Sequence, residues 1–397
     1  MEDLKQRVLA IAHEIYPQIV EFRRHFHAFP ELSMQEFETA RFIAKQLQLM
    51  GIKYRSGVAK TGIIATIEGI NPDKKLVVLR ADMDALPIHE INDAIYKSQN
   101  PGVMHACGHD AHMASLLGTT MILNRLKDKL EGSVRLIFQP SEETYPGGAS
   151  LMIKEGVLEN PKPDCIIGQH VCPELPAGKV GFRAGLSMAS TDEIYITIKG
   201  KGGHGATPEL NADPVVAAAH VLIALQQIVS RKAPPLIPTV LSFGRFIADG
   251  KMNIIPNEVK LEGTIRTYDE NWRRKAHVLI NEIAGKTAEA CGVTADIHIA
   301  HGYPSLLNDK LLTERAMHYA AELIGEENSV EIPQRMTAED FAFYSHIIPA
   351  CFYRLGIRKS VKGITANLHT PEFDIDERAL LTGSALMAWI TIKELQQ

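Results

Sequence analysis

The sequence predicts an α/β protein in two parts: a larger α/β domain formed by residues 1–186 and 301–397, and a smaller α+β domain inserted at 187–300. Three observations lead there. Four short apolar runs in the first 170 residues read as buried strands set among helical segments, the pattern of a sheet with parallel strands. From about Gly185 the texture changes to alternating strands and long helices, and the earlier helix and strand pattern resumes after residue 300. A length of 397 residues accommodates such a division at roughly 150 residues per domain.

The elements follow in chain order. Leu4, Val8, Ile11 and Ile15 recur at helical spacing, with Pro17 placed to kink or divide that helix. Ser33 and Glu36 have the spacing of a capping box in front of a second helix that runs to Met50. Gly62 to Ile67, Leu76 to Leu79, Val134 to Phe138 and Cys165 to Ile167 are the buried strands, and a helix from about Ala111 to Leu130 separates the second from the third. In the insert, strands are expected at Ile194 to Ile198, Val240 to Ile247 and Val259 to Tyr268, and helices at Val215 to Ile228 and Asn271 to Ala290. Helices near Leu311 and Phe341, a strand near Phe352 and a helix from about Glu377 complete the chain.

Composition removes several classes. Forty-two basic against 47 acidic residues give a net charge of −5, a balance that argues against a nucleic-acid surface. Charge begins at Glu2, so no signal peptide is expected, and the apolar stretch Ala379 to Ile392 is too short to span a bilayer. Cys107, Cys165, Cys172, Cys291 and Cys351 are scattered without a C-x-x-C pair, so reduced thiols and a cytoplasmic location are expected.

Sixteen histidines gather in short polar motifs, which points to chemistry more than to packing. The densest is His105-Ala106-Cys107-Gly108-His109-Asp110-Ala111-His112, where thiol and imidazole groups at a helix entry suit a borderline-soft divalent metal. Ser141-Glu142-Glu143 follows a strand directly. Adjacent carboxylates project in different directions, so one can ligate while the other moves a proton. Arg80-Ala81-Asp82-Met83-Asp84 and Gly168-Gln169-His170 also end strands, and Asn367-Leu368-His369-Thr370-Pro371 adds a further imidazole. Each alone is commonplace. Strand ends of an open α/β sheet converge on one crevice, and it is their joint occurrence there that marks a site.

Together with Gly203-His204-Gly205-Ala206-Thr207-Pro208, Arg23-Arg24-His25-Phe26-His27 and Met336-Thr337-Ala338-Glu339-Asp340-Phe341, these motifs cover nearly the whole chain. They resemble the aminoacylase, hippurate hydrolase and auxin-conjugate amidohydrolase branch of the di-metal peptidases related to carboxypeptidase G. The resemblance implies a mixed-sheet, zinc-peptidase-like catalytic domain with an inserted ferredoxin-like lid and dimerisation domain. It implies two divalent ions per subunit (Zn, Mn, Co or Ni), held by Cys107, His109, Glu143, His170 and His369, with the Cys107 thiolate bridging. Glu142 matches the general base. Asp84 matches a position that orients a ligand, while Asp82 stands where more distant members carry a metal-binding His. His204 matches an oxyanion donor that commonly reaches across a dimer, and Asn253 and Arg266 match positions that hold the substrate or its carboxylate. The implied activity is hydrolysis of N-acetyl or N-benzoyl amino acids to a carboxylate and a free amino acid by a homodimer, with N-acetyl-diaminopimelate or a small dipeptide as the alternative substrate.

Two rivals come from other classes. Gly200, Gly202 and Gly205 fit the G-x-G-x-x-G of dinucleotide-binding enzymes, but Pro208 follows at once and no acidic residue lies between Asp213 and Asp249, where a ribose acceptor would stand. A binding protein on the same scaffold would be expected to have lost a ligand or the base. This chain keeps all of them.

Overall fold

Strand formation in the larger part follows burial. In this computed structural model, which describes residues 2–359 and 366–397, Leu76–Asp82 and Ser133–Gln139 are buried along their whole length. They belong to a mixed eight-stranded sheet ordered Lys53–Val58, Gly62–Glu68, Ser133–Gln139, Leu76–Asp82, Cys165–Pro176, Ala350–Arg358, Val180–Phe182, Ser329–Glu331. The third to sixth strands in that order run parallel, so their carboxyl ends lie along one edge. Asp82 pairs with Gln139 and Arg80 with Gly168 at that edge.

Helices Glu2–Ala28, His109–Arg125 and Ala379–Leu395 pack against one another. Glu2–Ala28 passes through Pro17 undivided. Val8, Ile15, Ile19, Phe22 and Phe26 are buried on both sides of the proline, and burying side chains of that size, about 1.5–3 kcal/mol each, outweighs the one lost hydrogen bond. The expected capping box does not form. Glu36 holds the N-cap position of Phe37–Leu49 without a capping bond, because its carboxylate accepts the Ser141 N–H at 2.9 Å and the Thr61 hydroxyl at 2.6 Å, while the Ser33 hydroxyl donates to Asp84 at 2.6 Å. Strand Lys53–Val58, unforeseen from sequence, has almost no buried residue and exists through antiparallel pairing with Gly62–Glu68.

Contacts divide the chain into two compact units, Met1–Gly185 with Leu307–Pro333 and Asp340–Gln397, and Leu186–Leu306 with Gln334–Glu339. The second therefore extends beyond residue 300 and takes in a short later segment. Its four antiparallel strands lie in the order Thr239–Ile247, Glu258–Thr267, Asp192–Lys199, Thr294–His301. Helices Pro214–Leu225 and Glu270–Ala290 cover the face that carries Ile194, Ile196 and Ile198. Asp213 caps the first helix through the Val215 and Val216 N–H groups, and Asp269 caps the second through Trp272. Thr294–His301 escaped the sequence reading because its burial is only partial.

Candidate metal centre

The parallel strands deliver chemistry to their shared edge. Asp84 follows Leu76–Asp82, Glu142 and Glu143 follow Ser133–Gln139, and His170 lies within Cys165–Pro176. Cys107 and His109 arrive at the start of helix His109–Arg125, with Gly108 at its N-cap in the left-handed region at φ 82°. A Cβ on Gly108 would meet Val171 Cγ2 at 2.5 Å, so only glycine lets this turn approach the strand of His170. His369 is brought in by its own N–H, which donates to the Ala106 carbonyl at 2.8 Å.

All five expected donors meet. Cys107 Sγ lies 3.5 Å from His170 Nε2 and 3.3 Å from His369 Nε2. Glu143 Oε1 is 3.3 Å from His369 Nε2 and 3.9 Å from His109 Nε2. Ligand atoms of Cys107, His109 and His170 lie within 4.8 Å of one another, as do those of Cys107, Glu143 and His369. Cys107 is common to both groups, as a bridging thiolate requires.

The hydrogen bonds behind these donors leave the right atoms exposed to a cation. His109 Nδ1 donates to the Asp84 carbonyl at 2.8 Å and His170 Nδ1 to the Val171 carbonyl at 2.8 Å, which turns both Nε2 atoms inward as lone-pair donors. His109 Nε2 and Glu143 Oε1 are buried without a hydrogen-bond partner among the described residues. Two orphaned buried acceptors beside a thiol, two further imidazoles and a second carboxylate fit a pair of borderline-soft divalent ions.

Electrostatics agree. Burial disfavours charge on His109, but the carboxylates of Asp82, Asp84 and Glu143 outweigh it and push the imidazole up to about 10. Burial and the nearby Glu143, Glu142 and Asp82 carboxylates drive the Cys107 thiol well above its ordinary value. The cluster thus holds an excess of negative charge that protons balance and that a cation would balance instead.

Asp84 does its work through hydrogen bonds. Its carboxylate accepts the N–H groups of Glu142 and Glu143, each at 3.0 Å, and so sets the turn that presents both acids. Glu142 brings a carboxylate oxygen within 4.8 Å of ligand atoms of His109 and Glu143, and its Oε1 accepts the Asp340 N–H at 3.4 Å. Asp82 borders the same centre, with Oδ2 3.7 Å from His109 Nε2, but both of its oxygens are engaged: Oδ1 by His112 Nδ1 at 2.6 Å and Oδ2 by Arg80, which donates to it at 2.6 Å.

His204, Asn253 and Arg266 belong to the second unit. His204 pairs with Ile254 in a short antiparallel ribbon, and Gly205 N–H donates to the Asn253 carbonyl at 2.9 Å, so His204 and Asn253 are neighbours on an exposed tip. The Ala206 N–H donates to His204 Nδ1 at 3.0 Å, which leaves the proton on Nε2. Arg266 is not with them. It pairs with Val240 near the far end of strand Glu258–Thr267, about 26 Å of extended chain from Glu258.

Sequence reasoning did not single out several buried partners. Arg23 donates to Asp110 at 2.9 Å and Asp374 at 2.8 Å, His27 engages Asp110 at 2.7 Å, and Arg80 donates to Asp340 at 2.7 Å. Their motifs were visible, but each polar residue alone carried no sign of what it would face.

The sequence profile of Peptidase family M20/M25/M40 matches residues 78–392. The chain is 42% identical over 304 residues to an N-acyl-L-amino acid amidohydrolase of Geobacillus stearothermophilus, covering 77% of this chain and 81% of that protein. It is 36% identical over 392 residues to the IAA-amino acid hydrolase ILR1-like 4 of Arabidopsis thaliana, covering 98% and 88%. Among solved structures, the Bacillus subtilis YXEP protein, described as a dinuclear metal binding peptidase of the M20 family, superimposes with a TM-score of 0.82 at 34% identity, over 97% of this chain and 99% of that one.

Proposed function

The chain belongs to Peptidase family M20/M25/M40, and from that premise we propose that it is a metal-dependent amidohydrolase cleaving N-acetyl or N-benzoyl amino acids to a carboxylate and a free amino acid. Relatives that cover most of the chain carry the names of such amidohydrolases. One observation supports the reading above others: Glu142 stands beside the five-donor cluster, with a carboxylate oxygen within 4.8 Å of ligand atoms of His109 and Glu143.

Two bound ions, drawn from Zn, Mn, Co or Ni, would be held by Cys107, His109, Glu143, His170 and His369, and would supply Lewis acidity and hydroxide at neutral pH. Glu142 takes the proton of the attacking water and passes it to the departing amine nitrogen. Asp84 keeps Glu142 and Glu143 in register through their main-chain N–H groups. His204, whose Nε2 bears the proton, donates to the oxyanion as it forms. Asn253 and Arg266 hold the substrate and its carboxylate.

The ferredoxin-like order of the second unit, strand-helix-strand-strand-helix-strand, suits a lid and dimerisation domain. Val216, Ala219, His220 and Ile223 lie exposed in a stripe along helix Pro214–Leu225. Strand Thr239–Ile247 is an unpaired edge of the same sheet. The stretch Pro214–Lys232 is long and apolar enough for a membrane span by composition, but one side of its helix is buried against the sheet, and a second copy of the chain accounts for the other. None of the five cysteines, all of them among the described residues, is in a disulfide, which fits a reducing, cytoplasmic setting.

The test is a screen of N-acetyl and N-benzoyl amino acids, N-acetyl-diaminopimelate and dipeptides on enzyme of known metal content. Turnover of N-acyl amino acids above the others is expected. A fully loaded enzyme that turns over none of them would overturn the reading.

A further inference from the structure

His112 is not one of the five donors, yet its buried ring lies between two of them, with centroids 5.4 Å from His109 and 4.7 Å from His170. Both of its nitrogens are engaged. Nδ1 meets Asp82 Oδ1 at 2.6 Å, and Nε2 faces the Val171 N–H at 2.9 Å. A main-chain N–H can only donate, so Nε2 carries the lone pair and Nδ1 the proton, which the Asp82 carboxylate accepts. The need for that acceptor comes from the sheet. Pairing between Leu76–Asp82 and Cys165–Pro176 ends at Arg80 and Gly168, so beyond it the Val171 N–H has no strand partner on that side. Val171 in turn accepts His170 Nδ1–H on its carbonyl at 2.8 Å.

We propose that Asp82 and His112 are positioning residues that aim His170: Asp82 fixes the His112 tautomer, His112 Nε2 anchors Val171, and Val171 holds the His170 ring with Nε2 toward the cation. The proposal rests on the reading of His170 as a ligand, and it gives Asp82 a role other than direct ligation. Partners behind a ligand typically govern tenfold to a hundredfold in metal affinity.

The test exploits the shapes of two amides. Asn at position 112 keeps a donor for Asp82 and offers nothing to Val171, whereas Gln places an oxygen where Nε2 stands. Full-length apoenzyme prepared with chelator is titrated with Co2+, and affinity, retained metal after dialysis and the thiolate-to-cobalt absorption are read beside circular dichroism. For H112N, affinity for at least one equivalent is expected to fall about tenfold or more with a changed spectrum, and for H112Q to stay within roughly threefold of the parent. Parent-like affinity and spectrum in H112N, or a loss in H112Q equal to that of His170→Ala, would overturn the proposal and leave the ligand set standing. Unchanged metal binding in His170→Ala would overturn the ligand reading itself. H112Q keeps the question open to refutation should H112N fail to fold.

Discussion

At the scale of single residues, what could be read early was a set of thiol, imidazole and carboxylate motifs beside strand ends, and it was the resemblance to a known family that picked five expected donors out of them. What could not be read was which atom of each residue faces inward. That follows from hydrogen bonds such as His109 Nδ1 to the Asp84 carbonyl, whose partners lie 25 positions apart in the chain. Two substitutions test this scale. Glu142→Ala should retain metal in elemental analysis and lose about 10²–10⁴ in kcat, the usual worth of a positioned acid-base group; near-parent turnover would remove Glu142 from the chemistry. Gly108→Ala should cost about 1–2 kcal/mol for the left-handed backbone, and because its Cβ would strike Val171 Cγ2 it should also weaken metal retention after dialysis. A variant with lowered melting temperature and unaltered metal content would show that Gly108 serves the helix start alone.

At the scale of elements, periodicity found the long helices and the longer buried strands, since both expose their pattern through apolar spacing, but not the short helix Gly148–Lys154 or the buried strand Val180–Phe182. It missed Lys53–Val58, whose formation depends on a neighbouring strand and hardly on burial, and Thr294–His301, whose Ala295, Ile297 and Ile299 are only partly buried against the core. It also misread Ser33 and Glu36 as a local cap, when both are spent on long-range bonds to Asp84 and Ser141. Asp192 shows the same limit from the other side. It begins a strand, yet its buried carboxylate accepts from Arg273 at 2.6 and 2.8 Å, from His277 at 2.6 Å and from the Gly302 N–H at 3.0 Å. Burial works against its charge, but Arg273 and His277 hold the carboxyl far below the usual range. A depressed folded-state pKa contributes stability that is present above the unfolded value, about 3.9, and lost as pH falls toward the folded one. Thermal melts should therefore lose stability below about pH 4, and Asp192→Asn should flatten that acid limb. The same variant should cost about 3–5 kcal/mol at neutral pH, because Arg273 is left buried beside a neutral amide. An unchanged acid limb in the variant would assign the pH dependence to other groups.

At the scale of the whole molecule, the two-part organisation was legible because the change of texture near Gly185 is a change of architecture, from a parallel core to an antiparallel sheet under two helices. The number of subunits was expected from the resemblance alone, since an apolar stripe on Pro214–Leu225 reads as ordinary core until its neighbours are known. The geometry of the second unit now constrains it. His204 and Asn253 sit on a ribbon past one end of strand Glu258–Thr267, and Arg266 near the other, about 26 Å of strand away. An N-acyl amino acid is far shorter than that. If His204 and Arg266 both touch one substrate, they must come from different subunits, and the exposed Val216 and Ile223, together with the edge strand Thr239–Ile247, offer a surface on which two copies would join. Complementation decides it. Glu142→Ala and His204→Ala homodimers should each be nearly inactive. Unfolded together and refolded as a mixture, they should recover about a quarter of parent activity, because half the dimers are mixed and each mixed dimer assembles one intact site from Glu142 of one chain and His204 of the other. No recovery, with mixed dimers verified by differential tagging, would place His204 in the same subunit as the base it serves. Ile223→Lys should shift the protein to monomer in sedimentation and abolish activity with its metal retained, and a fully active monomer would refute the shared site outright.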